Sequence, residues 1–290
     1  MLNIDLHCHS DASDGMLSPA ALVARAAANG VDVLALTDHD EIAGIATARA
    51  AAEAEGITLI PGVEISVTWE GVTVHVVGLR IDPAHPELAA GLVGIRQGRM
   101  ERARRMGADL ARAGIAGAYE GAHARAANKE MVGRTHFARW LVDEGHAGDL
   151  RAAFRHFLTR GNPGYVEHEW TSLENAVGWI RGSGGMAVLA HPGRYPFTAR
   201  DTHRLLDAFR ALGGAGVEVI TGSHHPSEYG KWADLARAFG LKASRGTDFH
   251  APGEGIELGR VPALPHYCRP VWEGWPELQP LLAPASAACF

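Results

Sequence analysis

Residues 31–40 read Val31-Asp32-Val33-Leu34-Ala35-Leu36-Thr37-Asp38-His39-Asp40, and this stretch decides the fold class. The largely apolar run Val31–Leu36 predicts a buried strand. The four residues that follow it are polar, and three of them carry carboxylate or imidazole groups. A buried strand that ends in such a cluster is typical of parallel sheets, whose functional groups collect at the carboxyl ends of the strands.

Helices and strands alternate on both sides of this stretch. A helix is predicted before it, with Ser18-Pro19 as its start and Asn29-Gly30 as its end, and another follows over Glu41–Glu55. The other strands predicted in this half are Leu2–Leu6, Ile57–Ile60, and a hairpin of Glu64–Trp69 and Val72–Gly78 around Glu70-Gly71. The order βαβαβ favours a largely parallel α/β sheet with helices outside it.

The middle of the chain has a different pattern. Strand signals vanish from residue 83 to residue 161, where helices are predicted over Leu88–Ala113, Thr135–Glu144 and Asp149–Leu158. The alternation then resumes with helices over Leu173–Arg181, Arg200–Leu212 and Ser227–Phe239 and strands over Met186–Ala190, Val217–Ile220 and Leu241–Ser244. We therefore predict a barrel formed by residues 1–82 and 162–290, interrupted by a helical insert over residues 83–161.

The composition narrows the class of protein. Of the 290 residues, 47% are hydrophobic and 21% are charged, which is typical of a folded globular chain and excludes a disordered one. The formal net charge of −6 argues against binding to duplex nucleic acid. The three cysteines form no disulfide framework, and neither a signal peptide nor a membrane span is evident, so we expect a cytoplasmic protein with no membrane partner.

Many of the 16 histidines and several carboxylates fall where predicted strands end. The residues that follow strands are His7, His9, Asp11, Asp14, Asp38, His39, Asp40, Glu64, His191, Asp248 and His250, whereas His75 and Glu218 lie within strands. In a parallel barrel all carboxyl strand ends converge on one face, so these distant residues can share one pocket. His7 and His9 alternate with Cys8, which predicts that both imidazoles lie on one side and that Cys8 is buried on the other.

Imidazole and carboxylate groups together form the kind of site that suits Zn, Mn or Fe. Because an ion needs three or four ligands, roughly nine candidates favour two or three ions over one, and Glu64 could bridge two of them. Clustered divalent ions generate hydroxide at neutral pH and stabilise the charge on phosphoryl oxygens. The cluster therefore favours hydrolysis of phosphate esters, although metal-dependent amidohydrolases that act on C–N bonds share metal-rich barrels.

Six motifs, in order, resemble those of the polymerase and histidinol phosphatase (PHP) family. They are Asp5-Leu6-His7-Cys8-His9-Ser10, Ser13-Asp14-Gly15, Ala35-Leu36-Thr37-Asp38-His39-Asp40, Pro61-Gly62-Val63-Glu64, Ala190-His191-Pro192 and Gly246-Thr247-Asp248-Phe249-His250. The resemblance covers roughly residues 1–80 and 165–255. It implies a distorted (β/α)7 TIM-like barrel, the PHP fold, with a trinuclear metal centre.

The resemblance also implies how the ligands divide among the ions. One ion would be held by His7, His9, Glu64 and Asp248, a second by Glu64, His75 and His191, and a third by Asp14, His39 and His250. Every one of these positions carries a competent ligand. We therefore expect three divalent ions per chain, with Mn as the leading candidate and Fe or Zn as alternatives.

Two motifs near the middle of the chain narrow the branch of the family. Gly133-Arg134-Thr135-His136-Phe137-Ala138 and Gly161-Asn162-Pro163-Gly164-Tyr165-Val166 resemble free-standing PHP phosphoesterases that act on nucleotides. That branch includes 3′,5′-nucleoside bisphosphate phosphatases and enzymes that trim short RNA from its 5′ end. The histidinol phosphatase branch is similar in its metal motifs but lacks this pattern.

Arginines in the predicted insert are candidates for holding a second phosphate. Arg99, Arg102 and Arg105 are spaced i, i+3, i+6 on one predicted helix and are expected to share a side, and Arg134 stands before a helix start. Arginine binds phosphate through two parallel hydrogen bonds. Such a charge run can also be only a solvated helix face. The predicted substrate-binding residues are Arg134, Arg102, Arg105, Arg99, His39 and Asp14.

Several residues keep two interpretations. Asp11, Asp38 and Asp40 either orient imidazoles or cap helices. Glu218 either faces the barrel interior or pairs with a basic neighbour, and His224-His225 either touches substrate or lies on the surface.

The sequence thus predicts a metal-dependent nucleotide phosphatase, a phosphoric monoester hydrolase. Its expected reaction removes the 3′-phosphate of nucleoside 3′,5′-bisphosphates, for example from adenosine 3′,5′-bisphosphate to give AMP, with His191 or Asp248 assisting proton transfer. The competing hypotheses are a 5′-to-3′ exoribonuclease on short RNA, a histidinol phosphatase and a metal-dependent amidohydrolase. A non-catalytic binding module is disfavoured because all the ligands are present, and a serine nucleophile because no Gly-x-Ser-x-Gly motif occurs.

Overall fold

Seven strands form one sheet in which the strands follow each other in sequence order. The computed structural model describes residues 2–282. The strands are β1 (Ile4–Asp5), β2 (Val33–Leu36), β3 (Thr58–Trp69), β4 (Val72–Leu79), β5 (Met186–Leu189), β6 (Gly216–Thr221) and β7 (Lys242–Gly246). Strand β4 is antiparallel to both of its neighbours, and every other neighbouring pair is parallel.

The first and last strands meet and nearly close the sheet into a barrel. The backbone N–H of Leu6 donates to the carbonyl of Arg245 (3.1 Å), and the N–H of Asp248 donates to the carbonyl of His7 (2.8 Å). A Cβ atom at Gly246 would lie 2.4 Å from the Cβ of His7, so only glycine allows this approach. The prediction of a distorted seven-stranded α/β barrel is confirmed.

Helices follow most strands and cover the outside of the barrel. They are α1 (Pro19–Ala28), α2 (Gly44–Glu55), α3 (Pro86–Arg112), α4 (Ala118–Arg125), α5 (Arg134–Asp143), α6 (Leu150–Ala153), α7 (Leu173–Gly182), α8 (Ala199–Ala211), α9 (Tyr229–Ala238) and α10 (Gln279–Leu282). A π-helical turn (Phe154–Leu158) continues α6, and single 3-10 turns occupy Pro192–Arg194, Pro226–Glu228 and Pro276–Leu278. None of these helices, within residues 2–282, is both long and apolar enough to cross a membrane.

Helix α1 shows how closely local chemistry sets the boundaries. The Ser18 hydroxyl accepts a hydrogen bond from the N–H of Ala21, Pro19 occupies the first turn, and Asn29 ends the helix, as predicted. Helix α2 begins at Gly44 rather than at Glu41, because the Glu41 carboxylate accepts hydrogen bonds from the two backbone N–H groups that follow it.

Two elements differ from the prediction in kind. The predicted strands Ile57–Ile60 and Glu64–Trp69 are one continuous strand, β3, because Pro61 and Gly62 remain extended and pair with the adjacent strands. Helix α4 (Ala118–Arg125) was not predicted. It begins without a side-chain cap, and the residues that it buries are two alanines, so neither capping nor periodicity announces it.

The helices between β4 and α7 have a hydrophobic core of their own. Met106, Leu110, Phe137, Leu141 and Leu158 belong to this cluster, whereas the first turns of α3 pack on the barrel core. Helix α3 therefore joins the two cores, and the division at residues 82/83 and 161/162 stays a prediction. Residues 1 and 283–290 of the predicted barrel lie outside the described residues.

Candidate functional site

The nine side chains predicted as metal ligands lie together at one end of the barrel. Their donor atoms form groups in which all atoms lie within 4.8 Å of one another. The groups are His9, Asp14, His39 and His250; His7, His9 and Asp248; His7, Glu64 and His191; and His39, Glu64 and His75. Each of the nine residues occurs in at least one group, so distant parts of the chain supply one cluster.

Glu64 is at the centre of the cluster. Its Oε1 lies 3.0 Å from His75 Nδ1 and 2.8 Å from His191 Nε2, and these two nitrogens are 3.3 Å apart. Its Oε2 lies 2.8 Å from His39 Nδ1 and 3.4 Å from His9 Nε2. The structure thus brings the second predicted ligand set together, and Glu64 is placed as a bridging carboxylate would be.

Each of the other two predicted sets contains one aspartate, and one of these sets also includes Glu64. Asp248 Oδ1 lies 3.6 Å from His7 Nε2 and 3.3 Å from His9 Nε2, and these two nitrogens are 3.1 Å apart. Asp14 Oδ1 lies 3.4 Å from His250 Nε2 and 4.0 Å from His39 Nε2. Both aspartates therefore direct Oδ1 at imidazole nitrogens.

Unpaired polar atoms test whether this donor set fits divalent ions. Among the described residues, the buried atoms His9 Nδ1, Asp14 Oδ1, His39 Nδ1, Glu64 Oε2 and His191 Nδ1 have no hydrogen-bond partner. Buried polar atoms are normally paired, so a concentration of unpaired ones needs an explanation. Mixed imidazole and carboxylate donors are ligands for Mn, Fe and Zn, and the residues fit such ions.

A further layer of hydrogen bonds orients the imidazoles. Glu218 accepts from His7 Nδ1 (2.8 Å) and from the backbone N–H of His191 (2.6 Å). His250 Nδ1 donates to the carbonyl oxygen of Asp248 (2.9 Å). These bonds leave Nε2 of His7 and of His250 free to face the cluster. Glu218 therefore faces the barrel interior, which settles its two interpretations.

Asp38 and Asp40, which also follow a strand, accept hydrogen bonds that hold neighbouring segments in place. Asp38 accepts hydrogen bonds from the hydroxyls of Ser10 and Ser13, and Asp40 accepts from Ser66 and Arg99. Neither caps a helix. Asp11 is half-buried.

Cys8 and the His224-His225 pair lie apart from the nine side chains. Cys8 is fully buried, and its thiol donates to the Ala35 carbonyl, away from the imidazoles. His224 is buried and accepts from the Gly193 N–H, and His225 is exposed.

The cluster has strong internal electrostatics. Burial alone would raise the pKa values of its carboxyl groups, but the neighbouring imidazoles hold the pKa of Asp14, Glu64 and Asp248 well below the usual range. Burial and the charges of His250 and His39 lower the pKa of His9 to about 3. Burial opposes the charge of His250, yet the Asp14 carboxylate raises its pKa to about 9. The three carboxylates of the cluster are thus stabilised as anions by the imidazoles around them.

Three of the five described residues other than glycine that have a positive φ lie in or next to this cluster. His191 (φ 26°), Asp248 (φ 54°) and Asp40 (φ 47°) adopt positive φ values that residues other than glycine rarely adopt. All three follow strands of the barrel. Such strain is typically found where the surrounding structure forces a functional side chain into place.

The cluster opens into a cavity of about 570 Å³. Asp14, His39, His75, Asp248 and His250 line one part of it. The arginines that line it are Arg99, Arg102, Arg134, Arg151 and Arg194. Of the predicted substrate-binding residues, only Arg105 does not line the cavity, and its side chain is exposed.

Three of these arginines, Arg102, Arg134 and the exposed Arg151, have no anionic partner in residues 2–282. Arg102 and Arg134 form no ion pair with any described residue, whereas Arg99 is paired with Asp40. Burial, with the charges of Arg134 and Arg99, lowers the pKa of Arg102 to about 9. Burial, with the charge of Arg194, also lowers the pKa of Arg134. This end of the cavity is therefore short of negative charge.

Three residues at the cluster were not predicted. Ser223 Oγ donates to Asp248 Oδ2 (2.6 Å), and Arg194 Nη1 lies 3.2 Å from the same oxygen. Thr135 Oγ1 donates to Asp14 Oδ2 (2.8 Å). Arg194 and Ser223 stand a few residues after β5 and β6, and that position was the signal that could have found them.

Comparison with known proteins places this geometry in a family. A 3′,5′-nucleoside bisphosphate phosphatase of Chromobacterium violaceum is 56% identical over 273 residues, covering 94% of this chain and 96% of that protein. A 5′-3′ exoribonuclease of Haemophilus influenzae is 45% identical over 269 residues, covering 93% and 97%. Both names denote hydrolases of phosphate esters, and the predicted enzyme class is confirmed at that level.

Solved structures agree with the fold. A protein from Chromobacterium violaceum, described as an amidohydrolase with bound sulfate and no metal, has a TM-score of 0.91 at 56% identity, covering 93% of this chain and 95% of that chain. A protein of Bifidobacterium adolescentis, described as a metal-dependent phosphoesterase, has a TM-score of 0.78 at 28% identity, covering 88% and 92%. The PHP domain model matches residues 5–168, more than half of the sequence, and the chain therefore belongs to the PHP domain family.

Proposed function

We propose that this protein is a metal-dependent phosphatase that removes the 3′-phosphate of nucleoside 3′,5′-bisphosphates, for example converting adenosine 3′,5′-bisphosphate to AMP. One observation carries the proposal. Five of the nine potential metal ligands line the same cavity as Arg102 and Arg134, which have no ion-pair partner among the described residues. Its volume of about 570 Å³ lies in the range of small-molecule sites, so one ligand can reach both groups.

The arginine end is suited to the phosphate that is not cleaved. A buried guanidinium without a counter-ion is costly, and a phosphate dianion would offset that cost. Arg134 stands at the N-terminus of α5, where backbone N–H groups and the helix dipole also favour an anion. A relative of known structure is described with bound sulfate, a tetrahedral anion like phosphate. We propose that Arg134 and Arg102 bind the 5′-phosphate, with Arg99 beside them.

The opposite end is suited to the phosphate that is cleaved. We propose that the nine clustered residues hold divalent ions in the three sets that the family resemblance implies, with His39 and Asp14 also near the substrate. When bound, such ions supply Lewis acidity to phosphoryl oxygens and to the attacking water. Manganese as the native ion, three ions per chain and a cytoplasmic location stay predictions.

Asp248 is the better placed of the two residues proposed for proton transfer. It lines the cavity, whereas His191 lies behind it with Nε2 on Glu64. Arg194, whose side chain is half-exposed in the cavity, contacts Asp248 and adds positive charge beside the reacting phosphate. We propose that Asp248 assists proton transfer to the leaving oxygen and that Arg194 binds a phosphoryl oxygen.

An apolar wall gives the cavity a place for a nucleobase. Leu150, Phe154 and Ile256 line it, and the Phe154 ring lies 5.9 Å from the Arg134 guanidinium carbon. A base held against this wall would place its 5′-phosphate near Arg134. Inorganic phosphates and histidinol phosphate, which carry no base of this kind, would leave the wall unused.

Replacement of Arg134 tests the proposed division of the cavity. In Arg134→Ala, kcat/KM for adenosine 3′,5′-bisphosphate should fall on the order of 10²-fold, because a buried charge contact to the 5′-phosphate is lost. Turnover of 3′-AMP, which lacks the 5′-phosphate, should change little. Arg104→Ala is the matched control, because Arg104 is exposed on α3 and does not line the cavity. Equal losses on both substrates would contradict the assignment.

A second candidate function is 5′-to-3′ exoribonuclease activity on short RNA. An adjoining cavity of about 250 Å³ shares Arg102, Arg134 and Trp170 with the first and is also lined by Arg160 and Tyr165. The additional volume of this adjoining cavity favours a substrate longer than one nucleotide. A 5′-phosphorylated RNA ladder that shortens one nucleotide at a time, faster than the bisphosphate is hydrolysed, would make this the main activity.

Amidohydrolase and histidinol phosphatase activities are separated from the proposed function by substrate preference. Hydrolysis of amides without hydrolysis of phosphate esters would favour the amidohydrolase class. Release of phosphate from histidinol phosphate in preference to nucleotides would favour histidinol phosphatase activity. We expect neither, because both leave Arg102 and Arg134 without an anion.

A further inference from the structure

The two aspartates of the cluster are held in the same way. Each has one carboxylate oxygen, Oδ1, directed at imidazole nitrogens and the other, Oδ2, bonded to a hydroxyl group. We propose that Thr135 and Ser223 are positioning residues that fix which oxygen of Asp14 and of Asp248 is presented to bound metal ions. This inference rests on the metal centre of the proposed function and concerns the chain's own residues around it.

Thr135 acts on Asp14 from the helical region. Its hydroxyl donates to Asp14 Oδ2 at 2.8 Å, while Asp14 Oδ1 is buried and has no hydrogen-bond partner among residues 2–282. Arg139, one turn further along α5, donates to the backbone carbonyl of Asp14 (2.8 Å) and pairs with Glu254. Helix α5 therefore contacts both the side chain of Asp14, through Thr135, and its backbone, through Arg139.

Ser223 acts on Asp248 from the loop after β6. Its hydroxyl donates to Asp248 Oδ2 at 2.6 Å, and Arg194 contacts the same oxygen at 3.2 Å. Asp248 Oδ1 is left 3.3 Å from His9 Nε2. Asp248 has a positive φ of 54°, a backbone conformation that residues other than glycine rarely adopt.

A hydroxyl donor can position an aspartate because the two oxygens of a carboxylate are chemically equivalent. An unrestrained aspartate can rotate, exchange its oxygens or bind an ion through both of them. A hydroxyl donor occupies one oxygen and leaves the other as a single ligand in a fixed direction. Residues that orient metal ligands in this way typically contribute about 10- to 100-fold to metal affinity.

The placement of Thr135 couples the two ends of the cavity. Thr135 is adjacent to Arg134, the proposed ligand of the 5′-phosphate, at the first turn of α5. The same helix terminus would hold one phosphate and orient a metal ligand near the other. The helical region is then part of the metal centre and not only a cover for it.

Metal binding by substituted full-length chains tests the inference without an activity assay. The protein is stripped with a chelator and titrated with Mn²⁺, and free Mn²⁺ is followed by electron paramagnetic resonance. We expect Thr135→Val to weaken one class of ions about 10- to 100-fold, and Ser223→Ala to weaken another. The hydroxyl-retaining variants Thr135→Ser and Ser223→Thr should bind within about threefold of wild type.

Thr202→Val is the matched control. It removes the hydroxyl of a buried threonine, which donates to the carbonyl of Thr198 at the start of α8, outside the cluster, and it should leave Mn²⁺ binding unchanged. Circular dichroism of the metal-free variants checks the fold, and a variant that loses all ions together or unfolds without metal counts against a positioning role. Wild-type affinity in both Thr135→Val and Ser223→Ala would overturn the inference. A wild-type chain that binds no Mn²⁺, Fe²⁺ or Zn²⁺ would overturn the proposed metal centre itself.

Discussion

At the scale of the residue, α3 shows how far spacing determines contact. Arg99, Arg102 and Arg105 follow each other every three residues, but only the first two line the cavity. With 3.6 residues per turn, positions six apart are separated by about 120° around the helix axis, so Arg105 turns away to solvent. The predicted shared side therefore holds for two arginines and not for the third.

Substitution of these arginines checks that difference. Arg105→Ala should change kcat/KM for a nucleoside bisphosphate less than about threefold, because an exposed side chain outside the cavity contributes little. Arg102→Ala should lower it on the order of 10²-fold, because it removes a buried charge. Kinetics of the two purified variants decide the point, and a large loss in Arg105→Ala would refute the placement of α3.

Cys8 gives a second prediction at this scale. It lies between His7 and His9, yet its thiol donates to the Ala35 carbonyl. Cys8→Ala should therefore retain the full complement of bound metal, at a stability cost of about 1 kcal/mol for the small cavity and lost hydrogen bond. Elemental analysis and denaturant unfolding measure both, and loss of one ion would identify Cys8 as a ligand.

Some of the site residues could be predicted from the sequence, and others could not. His7, His9, Asp248 and His250 follow strands in tight groups, and barrel geometry then brings them together. Arg194 and Ser223 also follow strands, but each stands alone among ordinary loop residues. Thr135 contacts Asp14 only because α5 packs on the barrel, and no local pattern encodes a contact over 121 positions.

At the scale of the element, a buried ion pair ties α3 to the barrel. Arg99 donates to the Asp40 carboxylate from both Nε and Nη2 and to the Ser66 hydroxyl, and Asp40 is fully buried. The N-terminal boundary of α1 was predictable because Ser18 caps it locally. The packing of α3 against the barrel was not predictable, because Asp40 and Arg99 are 59 positions apart and each resembles an ordinary surface charge in the sequence.

Removal of this ion pair should lower the free energy of unfolding. Arg99→Ala should lower the free energy of unfolding by about 3–5 kcal/mol, because it leaves the Asp40 carboxylate buried without its cation. Arg104→Ala, an exposed change on the same helix, should stay within about 0.5 kcal/mol. Denaturant unfolding of both variants measures the difference. If the two variants unfold alike, the ion pair does not hold α3.

At the scale of the whole molecule, the barrel collects ligands from its strand ends into one anionic cluster. Ions that bind only the folded chain stabilise it by mass action, about 2.7 kcal/mol for each ion present at 100 times its Kd. Chelation should therefore lower the midpoint of thermal unfolding by several degrees, and Mn²⁺ should restore it. Scanning calorimetry measures the shift. A midpoint of thermal unfolding that changes with neither chelator nor Mn²⁺ would argue against a metal centre.

The barrel and the helical region together form the cavity. The strands and the loops that follow them supply the nine clustered side chains, and the helices between β4 and α7 supply Arg102 and Arg134 on the facing wall. Neither part alone surrounds the cavity. The order of strands was predictable from alternation, whereas the position of the helices over the strand ends depends on the packing of α3 and α5.

The most direct test of the central claim is product analysis with adenosine 3′,5′-bisphosphate and the metal-loaded protein. We predict release of inorganic phosphate with AMP as the nucleotide product, and kcat/KM about 10²-fold above that for 3′-AMP, because only the bisphosphate engages Arg102 and Arg134. Formation of 3′-AMP instead of AMP, or equal kcat/KM for the two substrates, would contradict the proposed function.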